Sequence, residues 1–114
     1  MVDVPAERFD ELVADAMDSI PDELWKLAAN VAVVVREGTP GSGLLGLYRG
    51  IPLTERDAGY TSVAPDRITI FRLPILNACR TEAEVVEQVR ITVVHEVAHH
   101  FGIDDARLHE LGWA

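Results

Sequence analysis

The 114-residue sequence has a single cysteine, Cys79. One cysteine excludes an internal disulfide and points to a reducing compartment. Cys79 itself reads as a half-buried structural residue rather than a latent metal ligand. Basic residues are also scarce: ten Lys and Arg stand against nineteen Asp and Glu, for a net charge of −9. Nucleic acid and anionic membrane both need Lys/Arg patches, so neither is expected as the main partner. No apolar run reaches the roughly 18 residues of a membrane span. The acidic start, Met1 to Arg8, lacks the basic-then-apolar layout of a signal peptide. A cytoplasmic location is therefore expected. Repeats, linkers and low-complexity stretches are missing too. The glycine-bearing loop from Thr39 to Gly43 is not followed by Gly-Lys-Ser/Thr, which excludes a phosphate loop.

What is present is the balance of an ordinary globular protein, 48% hydrophobic and 25% charged. At this length one domain is expected over residues 1–114. Its chemistry concentrates between Val93 and Asp105. His95, Glu96 and His99 form H-E-x-x-H, which sets two imidazoles one helical turn apart on one face. Zinc takes such neutral nitrogen ligands, and the adjacent carboxylate can act as general base on a bound water. Gly102 can end the helix in a left-handed turn that swings the chain back. Asp105 then stands where a third ligand is needed. Asp104, His100 and His109 are also within reach in sequence. Of these, His100 points about 100° away around the helix from His99, and His109 competes with Asp105 if the last helix folds back.

Thr81 and Glu84 fit a capping box, so this helix is expected from about Glu82 to Phe101. Val85, Val86, Val89, Ile91, Val93, Val94, Val97, Ala98 and Phe101 take up most of its circumference, which describes a buried helix. Thr92, His95, Glu96, His99 and His100 share the remaining arc.

Upstream, Pro5 opens a helix to about Asp18, with Phe9, Leu12, Val13, Ala16, Met17 and Ile20 inward. Ser19 and Pro21 start a short second helix with Leu24, Leu27 and Ala28 facing the core. Val31 to Val35 reads as a strand covered on both faces, and Leu44 to Tyr48 as a second. Thr54 to Asp66 is a surface loop of functional length. Arg67 to Leu73 alternates as a third strand ended by Pro74. After Gly102, Asp104 or Asp105 caps a last short helix carrying Leu108 and Leu111. Two helices, three strands and two helices make a small α+β domain.

The run His95-Glu96-x-x-His99-x-x-Gly102-x-x-Asp105 resembles the metzincin variant of the zincin superfamily that uses aspartate as third ligand. Leu44-Leu45-Gly46-Leu47-Tyr48, Pro65-Asp66-Arg67-Ile68-Thr69 and His99-His100-Phe101-Gly102 are similar to segments of small bacterial zincin-like metallopeptidases. The resemblance implies Zn²⁺ on His95, His99 and Asp105, with Glu96 as general base. It also implies a minimal zincin-like domain: a small twisted sheet of about three strands packed on helices, with an edge strand framing the cleft and a long active-site helix. With nine residues after Asp105, neither a methionine turn nor a C-terminal subdomain is expected. The expected activity is peptide hydrolysis, with a peptide or protein as substrate. Tyr60, His100 and His109 are the candidate oxyanion donors, and the strand from Arg67 to Leu73 is the expected docking edge. Two other readings stay open: a zinc-containing peptide-binding module, and a subunit of a larger complex without peptidase activity of its own. The oligomeric state is not encoded in any recognisable pattern.

Overall fold

A computed structural model describes residues 1–28, 30–50 and 66–113. The expected loop from Thr54, and Tyr60 within it, lie outside these residues apart from Asp66. The order of elements is α1 (Ala6–Asp18), α2 (Asp22–Leu27), β1 (Val31–Arg36), β2 (Gly46–Arg49), β3 (Asp66–Phe71), α3 (Arg72–Ala78), α4 (Glu82–His100) and α5 (Asp105–Leu111). This is the expected small α+β domain, with one helix more than the sequence pattern suggests.

The sheet has the order β1-β3-β2, with β1 parallel and β2 antiparallel to β3. Val33 sits beside Ile68 and Val35 beside Ile70, while Gly46 and Tyr48 oppose Ile70 and Ile68. Side chains alternate along each strand, so these residues share one face. That face meets α4, and Ile68 and Ile70 are wholly buried. On α4's other side lies α1, which contributes Phe9, Leu12, Val13 and Ala16 to the same core. A helix enclosed by the sheet and a second helix must be apolar on nearly every side, as α4 is.

Several expectations need correcting. The valine run of β1 is half-buried throughout, not covered on both faces, and among the described residues β1 pairs with β3 alone. β3 is the central strand, so it offers no edge to a docking peptide. It also ends at Phe71, where α3 begins; Pro74 then falls in the first turn of a helix, where no intrahelical N–H is needed. Leu27 and Phe101, expected inside, are 43% and 42% exposed.

The segment before α1 is tied down in a way the sequence pattern does not signal. Val2 N–H donates to the carbonyl of Cys79, Val4 is buried, and Arg72 Nη1 donates to the Val4 carbonyl. Cys79 is fully inside at 3% exposure, and burial pushes its thiol pKa up, away from the reactive thiolate.

Candidate functional site

The helix that carries the motif is fixed at both ends by local chemistry. At its start, Thr81 Oγ1 accepts from Glu84 N–H at 3.1 Å. The reciprocal arm of the box lands one residue early, with Glu84 Oε2 accepting from Arg80 N–H at 3.3 Å. At its end, Gly102 adopts φ +77°, a conformation open to residues without Cβ. Gly102 N–H donates to His99 O at 3.1 Å and Ile103 N–H to Ala98 O at 2.8 Å. Those two bonds are the Schellman closure, and they turn the chain back past the last helical turn. Asp104 caps the next helix, its carboxylate accepting from Arg107 N–H at 2.9 Å.

This reversal brings Asp105 to the motif. Asp105 Oδ1 lies 3.2 Å from His99 Nε2, with both side chains more than half exposed. The rings of His95 and His99 have centroids 5.8 Å apart. Glu96 is half-buried, and its carboxylate has no hydrogen-bond or salt-bridge partner among the described residues. His95, Glu96 and His99 line one wall of a cleft of about 310 Å³, together with Gln88, Ile91 and Thr92 from earlier turns of α4. The opposite wall is the chain entering β2, from Gly43 to Gly46. Helix and strand approach closely at Gly46, where an added Cβ would lie 2.5 Å from Thr92 Cγ2.

The donor set suits zinc in kind: two imidazoles and a carboxylate. At Zn–N and Zn–O lengths of about 2 Å, two donor atoms on one tetrahedral ion lie about 3.3 Å apart, and two ligand imidazole centroids about 5 Å. The His99–Asp105 separation of 3.2 Å matches the first, while the His95–His99 centroids, 5.8 Å apart, stand wider than the second. The triad is not closed, however: among the described residues no group of three or more His, Cys, Asp or Glu is arranged to hold a metal ion. The residues fit the ion in kind, and in spacing at the His99–Asp105 pair.

The competing ligands are placed elsewhere. Asp104 is occupied as a cap. His109 is exposed on the last turn of α5 and does not line the cleft. His100 points to the sheet, its ring stacked on Tyr48 at 3.9 Å and its Nε2 3.9 Å from Asp66 Oδ2. Tyr48 Oη in turn donates to Asp66 Oδ2 at 2.8 Å. His100 therefore clasps the end of α4 to β2 and β3 and does not line the cleft. Gln88 and the Gly46–Thr92 contact escape sequence reasoning altogether. Only the helical spacing of Gln88, two turns before His95, hints that the two share a face.

A buried helix presents H-E-x-x-H to a cleft beside an antiparallel edge strand, the layout expected of a zincin. The model of the zincin-like metallopeptidase family matches residues 28–113, and the chain belongs to that family. Zinc dependence and metallopeptidase chemistry are the general character of the family. In structure the chain is similar to a conserved hypothetical protein from Thermo thermophilus, with a TM-score of 0.55 and 23% identity over 85% of this chain and 94% of that one. That likeness concerns the fold alone. No curated protein matches the chain.

Proposed function

We propose that this protein is a zinc-dependent peptidase in which His95, His99 and Asp105 hold the metal and Glu96 is the general base. The observation that carries the reading is the approach of Asp105 to His99 across the Gly102 turn, beside a cleft lined by His95, Glu96 and His99. Three protein ligands leave a fourth position open, as catalytic rather than structural sites do. When bound, zinc supplies a Lewis acid that brings the pKa of water toward about 7 and polarises a carbonyl.

Glu96 takes a proton from the attacking water and later delivers it to the leaving amine. Its lack of a partner among the described residues leaves both carboxylate oxygens available for that transfer. The substrate is a peptide in extended form, laid along β2 rather than β3. Phe71 N–H donates to Leu45 O, so by antiparallel alternation the Gly46 N–H and C=O point away from β3, toward the cleft side.

The test is a comparison of wild type with Glu96→Gln, both loaded with zinc, on a peptide mixture read by mass spectrometry. The variant should retain stoichiometric zinc by elemental analysis while hydrolysis falls by about 10² or more. Loss of metal would make Glu96 a ligand and overturn its role. A wild-type protein that holds zinc and peptide without turnover would be a binding module. Turnover restored only by a second protein would make it a complex subunit.

A further inference from the structure

The cleft continues well past the residues assigned to chemistry. Gln88, Ile91, Thr92, His95, Glu96 and His99 follow one another along a single stripe of α4. From Gln88 to His95 the helix rises about 10 Å. Three of the six α4 residues that line the cleft, Gln88, Ile91 and Thr92, therefore precede the motif.

The hydrogen bonds at this end decide what it can recognise. Thr92 Oγ1 donates to the Gln88 backbone carbonyl at 2.8 Å. With its proton used there, the hydroxyl can only accept from a further neighbour. Because that hydroxyl can only accept, the neighbouring Gln88 amide turns its Nε2 toward it, 3.5 Å away. The Gln88 Oε1 is left as an acceptor with no partner among the described residues. Among the described residues no Lys or Arg lines the cleft, and the one carboxylate there is Glu96. The Thr92 hydroxyl is held by the Gln88 carbonyl, with the methyl against Gly46.

We infer that Gln88 is a specificity-determining residue: its amide oxygen receives a long substrate side chain ending in N–H donors, arginine or lysine ahead of glutamine, while acidic side chains are rejected. This rests on the peptidase reading for the direction in which the peptide lies. The order within the class follows from charge, since among the described residues the cleft presents an amide acceptor and no basic side chain, in a protein of net charge −9.

Fluorescein-labelled octapeptides of Ala and Ser, with Arg, Gln, Met or Glu placed in turn at each internal position, test it. Binding to zinc-loaded Glu96→Gln is read by anisotropy, and cleavage by zinc-loaded wild type is followed on the same peptides. At one position Gln should bind about three- to tenfold tighter than Met, with Arg tighter still and Glu weakest. Gln88→Met should bring Gln and Met within about twofold, while Gln88→Glu should widen the lead of Arg over Gln. Each variant must first show wild-type zinc content and melting temperature, which separates a lost subsite from a lost fold. Binding and cleavage that ignore residue 88 overturn the subsite and leave the peptidase reading standing. Peptides that neither bind nor are cut overturn both.

Discussion

Asp104 and Asp105 are chemically identical neighbours, yet the turn before them gives them different work. Asp104 spends its carboxylate on the Arg107 N–H at the start of α5, whereas Asp105 faces His99. Their substitutions should separate cleanly. Asp105→Ala should weaken zinc binding at least tenfold in competition with a chelator, because two imidazoles alone hold zinc poorly. Asp104→Ala should leave affinity nearly unchanged and destabilise the fold by about 1 kcal/mol through the lost cap. The reverse order would move the third ligand from Asp105 to Asp104. The exposed His99–Asp105 pair contributes little to stability without metal, since solvent screens it.

At the scale of elements, the site depends on how closely α4 lies against β2. Gly46 permits that approach, and its absent side chain is filled by the Thr92 methyl. Gly46→Ala should therefore cost about 1–3 kcal/mol in urea unfolding, the range for overpacking a tight contact. Thr92→Ser removes the methyl but keeps the hydroxyl bond to the Gln88 carbonyl. In the Gly46→Ala background it should recover most of the loss, and a double-mutant cycle measures the coupling. Additive effects would mean that the added methyl is relieved by a shift of the β2 backbone instead. His100 acts at the same scale, binding the last turn of α4 to Tyr48 and Asp66.

For the whole molecule, the proposed ligands come from two helices joined by a turn, so metal binding and stability are linked. α5 contributes one wholly buried side chain, Leu108, to the shared core. Zinc at a free concentration about a hundredfold above its Kd should raise unfolding free energy by about 2.7 kcal/mol. Calorimetry should show the rise, a chelator should reverse it, and His95→Ala should abolish it. A zinc-induced increase that survives His95→Ala would place the metal elsewhere. No helix among the described residues is long and apolar enough to cross a membrane.

Elements whose signals are local could be read from the chain directly. Thr81 with Glu84 and Gly102 with its following turn bound α4, and Pro5 opens α1, because caps act within one turn. The near-continuous apolar surface of α4 foretold a helix in the middle of the domain. H-E-x-x-H marked the chemistry, since helical spacing alone puts those side chains on one face. Strand order was not legible: a valine run reads the same at an edge as in a centre, and only pairing made β3 central and β1 an outer strand among the described residues. The short α3 was hidden because Pro74 suits both the end of a strand and the first turn of a helix. Packing across the fold placed Gly46 against Thr92 and Tyr48 under His100, contacts between residues far apart in the chain. It also left Gln88 facing the cleft, because what a helical side chain faces depends on what packs opposite it.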